Sequence, residues 1–162
     1  MGVHSLHIFN QKGETMFTKR YAKGDTDGSG GVDPEQLADQ RKLVFGMLFS
    51  LREIAAALSP DKSKDTSLHS VKTGASTCYC YESASGLRFA LFTDNNDNNN
   101  INSSGSSSVD GSIQKVLQRV YSELWIQCVT RSPLYRPTNP NVEATNFESK
   151  LDTLLQSQMW FR

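Results

Sequence analysis

The chain predicts an α+β fold in which a five-stranded, mostly antiparallel sheet is covered on both faces. Three observations carry that reading. One stretch, Asp33 to Pro60, has the start, the period and the stop of a long helix. Two β-type runs joined by a tight turn precede it, and three more follow before helical periodicity resumes. The first of these runs carries apolar residues on both of its faces, as a strand lying between two layers must. At 162 residues the chain is read as one domain spanning 1–162, long enough to bury a core without disulfides or metal.

The first strand is Val3 to Asn10, VHSLHIFN. Simple alternation places Val3 and Phe9 on one face and Leu6 and Ile8 on the other. Asn10 to Gly13 is a hairpin turn, with Gly13 free to take positive φ, and Thr15 to Tyr21 returns as the second strand.

In the long helix Asp33 is the N-cap, Pro34 takes the first helical position and Glu35 complements the N-terminal dipole. Ser59-Pro60 stops it. Leu37, Val44, Leu48, Leu51, Ala55 and Leu58 share one face, widened by Leu43, Met47 and Ile54, and that face is expected to meet the sheet. A second apolar line, Ala38, Phe45, Phe49 and Ala56, projects nearly opposite, between Arg41 and Arg52 on one side and Asp39, Lys42 and Glu53 on the other. A single sheet cannot cover both lines. Phe45, Phe49, Arg52, Arg41 and Ala56 are therefore expected to form a partner interface, since aromatic residues and arginine are enriched in interface cores. The plainer alternative is that Phe45 and Phe49, an i,i+4 pair, stack on each other under a loop of the same chain.

Three further strands are expected at 66–72, 76–82 and 87–93, with Thr73-Gly74 and Ser85-Gly86 as turns. Asp94 to Gly111 is Asn/Ser-rich low-complexity sequence, too polar to offset the entropy of ordering, and 95–111 is read as a surface loop. Helix resumes near Ser112 and ends at Ser132-Pro133. Its inner face is Ile113, Val116, Leu117, Val120, Leu124 and Cys128, extended sideways by Tyr121, Trp125 and Val129. A last helix from Glu143 or Asn146 carries Phe147, Leu151, Leu154 and Leu155. Trp160 and Phe161 then close the core or, alternatively, dock on a neighbour.

Composition narrows the function. Seventeen basic residues balance seventeen acidic ones, which argues against a nucleic-acid partner. No run approaches the roughly 18 apolar residues of a membrane span, and the N-terminus has neither a basic nor an apolar leader region. Gly2 does not read as a myristoylation site, because Leu6 stands where Ser or Thr is needed. Three cysteines read as reduced cytosolic thiols, and without a signal sequence the Asn102-Ser103-Ser104 acceptor is expected to have no role.

The segment before the helix places Asp25, Asp27, Ser29, Gly30, Val32 and Asp33 at positions 1, 3, 5, 6, 8 and 9 of a calcium loop. Position 12 is Gln36, whose amide offers one oxygen where a bidentate carboxylate is required, so Asp25, Asp27, Ser29 and Asp33 make only a weak metal candidate. Cys78 and Cys80 share one strand face, but the histidines His4, His7 and His69 and Cys128 complete no known ligand spacing. No phosphate loop, nucleophile elbow or HExxH motif is present. The chain is expected to carry no catalytic residues and no cofactor.

Read together, GVHSLHIFNQKGE, FGMLFSLREIAAALSP (Phe45 to Pro60), SGLRFALFTD (Ser85 to Asp94), VLQRVYSELWIQCVTRSPL (Val116 to Leu134) and FESKLDTLL (Phe147 to Leu155) resemble the small longin-like subunits of the trafficking protein particle (TRAPP) vesicle-tethering complex. The likeness runs nearly end to end. It implies a longin/SNARE-like (profilin-like) domain, with the first helix on one sheet face and the two later helices on the other. It also implies a chain that does no chemistry alone. Such a chain joins other longin-like and bet3-like subunits in a core acting as guanine-nucleotide exchange factor for a Rab GTPase in ER-to-Golgi transport. It would be cytoplasmic and peripheral at Golgi and endoplasmic reticulum. The Asn/Ser stretch is longer than the family pattern, and Gly24 to Gly31 departs from it. Two alternatives share parts of these observations: a free-standing longin-type regulatory or adaptor domain binding a SNARE or coat protein, and a calcium module using loop 25–36.

Overall fold

The computed structural model describes residues 2–21, 34–60, 67–95, 106–137, 142 and 145–161. The chain runs β1 (Val3–Phe9), β2 (Thr15–Arg20), α1 (Pro34–Leu58), β3 (Ser70–Lys72), β4 (Ser76–Glu82), β5 (Arg88–Asp94), α2 (Ser106–Arg119), a π-wound continuation (Val120–Thr130) and α3 (Phe147–Gln156). This is the expected order. β3 is shorter than the expected 66–72, and β5 sits one residue later than expected. The calcium-loop residues Asp25, Asp27, Ser29, Gly30, Val32 and Asp33 lie outside the described residues.

The first turn is built on Asn10. Its side-chain oxygen accepts hydrogen bonds from the backbone N–H groups of Lys12 and Glu14, both at 2.9 Å, and Gly13 takes φ +85°. That left-handed value is open to glycine at little cost. The sheet order is β2-β1-β5-β4-β3, and every pairing is antiparallel. α1 therefore joins the two outermost strands. Its 25 residues span about 37 Å, more than the width of five strands.

Alternation along the strands sorts the core into two clusters on opposite sides of the sheet. Phe9, Cys78, Cys80 and Ala90 pack with Leu48 of α1. Leu6, Ile8, Tyr79, Phe89 and Leu91 pack with residues of α2, the π segment and α3. Val3 belongs with Leu6 and Ile8, not with Phe9 as simple alternation predicts. The register slips between Val3 and Ser5 opposite β5, and this bulge at His4 inverts the parity of the strand end.

Two helix boundaries also differ from expectation. α2 starts at Ser106, so the last residues of the expected 95–111 loop are helical. A serine run carries no apolar period to read, but Asp110 accepts a 2.9 Å hydrogen bond from the Tyr79 hydroxyl of β4, which ties this turn to the sheet. Past Arg119 the helix winds with five-residue hydrogen bonds, as in Arg131 N–H to Ile126 O at 3.0 Å. The wider winding keeps Val120, Trp125 and Val129 on one side. Val120, Trp125 and Val129 are buried, while Leu124 and Cys128, expected on the inner face, are only half-buried.

α3 closes the layer. Trp125 stands edge-on to Phe89 and to Phe147, at 6.4 and 5.4 Å between ring centroids, and Phe147 stands edge-on to Phe17 of β2 at 5.1 Å. Lys19 bridges Glu148 (2.7 Å) and Asp152 (2.6 Å) of α3. Burial works against its ammonium charge, but these two carboxylates outweigh it and the Lys19 pKa is raised. Trp160 and Phe161 pack on the same cluster, Phe161 edge-on to Tyr21 at 5.4 Å, as the first reading of these aromatics expects.

Candidate partner-binding surface

The residues singled out on α1 divide between its inside and its outside. Phe45 packs on Phe9 of β1 at 5.7 Å, and Leu48 is the one fully buried residue of the helix among those described. Leu43, Ile54 and Leu58, expected to widen the sheet-facing side, are 72%, 53% and 77% exposed. The helix is thus turned by roughly 60° from the orientation that apolar periodicity suggests. The reason is local and long-range at once. Gly13 of the hairpin leaves room for the Phe45 ring, since a Cβ there would stand 2.7 Å from it, and Arg88 of β5 lays its guanidinium over the same ring at 5.2 Å.

Phe45 and Phe49 stack at 6.4 Å, and Arg88 also covers Phe49 at 5.7 Å. Cation–π contact of this kind strengthens as water is excluded. Arg88 is itself nearly buried, and its charge is answered by Glu82 at 3.6 Å, which also pairs with Arg52 at 3.4 Å. The structure thus brings Phe45, Phe49 and Arg52 together around two residues that sequence reasoning missed, Arg88 and Glu82. Only the strand register reveals them, because Glu82 and Arg88 are opposite partners in the β4–β5 ladder. Phe45 is half-buried and belongs largely to the molecule's own packing, whereas Phe49 is 46% exposed. Arg41 and Ala56 are half-buried; Arg41 points away from this group, with its Nε donating to Leu37 O at 3.0 Å. The surface left uncovered is the stripe Leu43, Ile54 and Leu58, with Met47 partly buried between them.

On the other flank of α1 lies His7, shielded from water. Its Nε2 shares a 3.1 Å hydrogen bond with Ser5 Oγ and its Nδ1 a 3.2 Å bond with Thr18 Oγ1. Burial first, then the Arg20 and Arg41 charges, lower its pKa to about 4. The sign follows from linkage. Above about pH 6.5 the ring is neutral folded or unfolded; below it the unfolded chain takes up a proton that the folded chain refuses until about pH 4. Stability attributable to His7 is therefore lost between pH 6.5 and 4, on the order of 2–3 kcal/mol. Urea unfolding across that window should fall more steeply for the native chain than for His7→Gln. Parallel curves would refute the assignment.

Cys78 and Cys80 share a face as expected, with their sulfurs 3.8 Å apart, and their mutual hydrogen bond together with burial pushes the Cys78 thiol pKa up. Among the described residues no three His, Cys, Asp or Glu side chains are grouped to hold a metal, and no helix is long and apolar enough to cross a membrane.

Known proteins supply the context for this surface. The family model described as Sybindin-like family matches residues 3–158. The chain is 29% identical to trafficking protein particle complex subunit 1 of Homo sapiens over 161 residues, covering 99% of this chain and 97% of that one. It is 30% identical to trafficking protein particle complex subunit BET5 of Saccharomyces cerevisiae over 134 residues, 83% of this chain and 76% of the relative. Among solved structures, the gliding protein MglB of Thermus thermophilus superposes with a TM-score of 0.40 at 14% identity, covering 69% of this chain and 72% of that one.

Proposed function

This chain belongs to the Sybindin-like family, and on that premise we propose that it is a non-catalytic scaffold subunit of a trafficking protein particle complex. Its neighbours are other longin-like and bet3-like subunits. The assembled core acts as guanine-nucleotide exchange factor for a Rab GTPase in ER-to-Golgi transport, at the cytoplasmic surface of those membranes. The relatives' names support the membership, since they are subunits of such complexes.

The observation that carries the scaffold role is the outward stripe of α1. Leu43, Ile54 and Leu58 lie three-quarters to half exposed along one line of a helix whose opposite side is already seated on the sheet. Each such side chain gains about 1.5–3 kcal/mol when buried, so a neighbour that covers all three is strongly held. Phe49, with Arg52 beside it, lies on the other flank of the helix and offers a second, smaller contact.

Replacing Leu43, Ile54 and Leu58 together with serine tests this. The variant should unfold within about 1.5 kcal/mol of the native chain, about 0.5 kcal/mol for each substitution, because none of the three is buried in it. It should nevertheless lose co-purifying subunits by at least about tenfold. Retention of all partners by a folded triple variant would refute the scaffold surface. Phe45→Ser serves as the contrast, since it removes a ring already packed on Phe9 and should destabilise the chain itself.

A further inference from the structure

A wedge lies between the first half of α1 and the strands β2, β1 and β5. Short polar side chains, Ser5 and Thr18, line the sheet there and cannot fill it, and a cavity of about 630 Å³ remains. That volume lies within the roughly 300–1,000 Å³ of small-molecule sites. Its walls are unlike one another. Leu37, Leu43, Val44 and Phe92 supply the apolar part. Arg20 and Arg41 supply the charge, beside His7 and Gln40, and among the described residues no carboxylate lines it.

Each guanidinium keeps donors to spare among the described residues. Arg20 uses one Nη to donate to Gln40 Oε1 at 2.9 Å, and Arg41 uses its Nε on Leu37 O at 3.0 Å. A guanidinium has five N–H groups, and its fork matches a carboxylate or phosphate. Two cations sharing one half-apolar space, with no carboxylate among the described lining residues, favour an anion, and the apolar walls favour one with a hydrocarbon body.

We propose that this cavity binds an amphipathic oxyanion, with Arg20 and Arg41 holding the carboxylate or phosphate head and Leu37, Val44 and Phe92 covering the tail. His7 sits beside the head and reports on it, because a bound negative charge makes imidazole protonation easier.

The test follows the His7 imidazole resonances of the full-length chain during titration with decanoate, decyl phosphate, decanol and inorganic phosphate, below micelle-forming concentrations. One or both anionic amphiphiles should shift the resonances saturably and bind at least about tenfold more tightly than decanol or inorganic phosphate. The stronger of the two identifies the head group. Arg41→Gln and Arg20→Gln, each confirmed folded by circular dichroism, should weaken binding about tenfold, with Arg41→Lys in between. Equal binding of decanol, indifference to both arginine variants, or no saturable shift overturns the proposal. So does loss of binding once the chain is purified with its neighbouring subunits, which would assign the cavity to a partner's own segment.

Discussion

Phe147→Ala is expected to lower the unfolding free energy by about 3–5 kcal/mol, the largest loss of any single substitution considered. The ring is fully buried and edge-on to Trp125 of the π segment and Phe17 of β2. Both neighbours are held by other contacts, Trp125 by Phe89 and Phe17 by its place in the sheet, so the space cannot close around an alanine. α3 has only 10 residues, too few to persist as an isolated helix, and depends on Phe147, Leu151 and Leu155 to stay docked. Urea unfolding gives the magnitude, and limited proteolysis should show cleavage near residue 147 before the sheet opens. A loss below about 1 kcal/mol would mean that the site repacks.

Gly13→Ala should cost about 2–4 kcal/mol, although the residue sits in an exposed turn. Two effects add. Alanine at φ +85° is strained by about 1 kcal/mol. Its methyl group would stand 2.7 Å from the Phe45 ring, and that ring is fixed between Phe9, Phe49 and Arg88. Displacing it is an overpacking cost of about 1–3 kcal/mol. Asparagine tolerates positive φ but keeps the Cβ, so Gly13→Asn should recover only the strain. Combining Gly13→Ala with Phe45→Leu should be less harmful than the sum of the two, because the clash is then absent. Strict additivity in thermal unfolding would show that Gly13 and Phe45 do not meet.

The same pair shows what the chain discloses on reading and what it withholds. Element order was legible because caps, prolines and glycines punctuate it, and the hairpin was legible from Asn10 to Gly13. The roll of α1 about its own axis was not. A helix with apolar residues on two lines offers two ways to sit; this one seats Leu48 and Phe45 and leaves the edge Leu43, Ile54 and Leu58 of the larger face outside. What decides is the shape of the sheet at Gly13 and the position of Arg88, both remote in sequence. The π winding after Arg119 was equally hidden, since the apolar residues Val120, Leu124, Trp125, Ile126 and Val129 satisfy either period. The setting of His7 was legible only in part: Ser5 shares its strand face, but Thr18 becomes a neighbour only when the hairpin register is known.

The place of β5 in the sheet bears on how the polypeptide reaches its native state. The strand synthesised last lies in the middle, between β1 and β4. As the nascent chain leaves the ribosome, β1 and β2 can zip together early, yet the inner edge of β1 has nothing to pair with until residue 94 has emerged. An open edge of that kind recruits foreign strands. The acquisition of structure is therefore gated by one late, non-local insertion, and destabilising substitutions in β5 should raise misassembly during synthesis more than equivalent ones in β2.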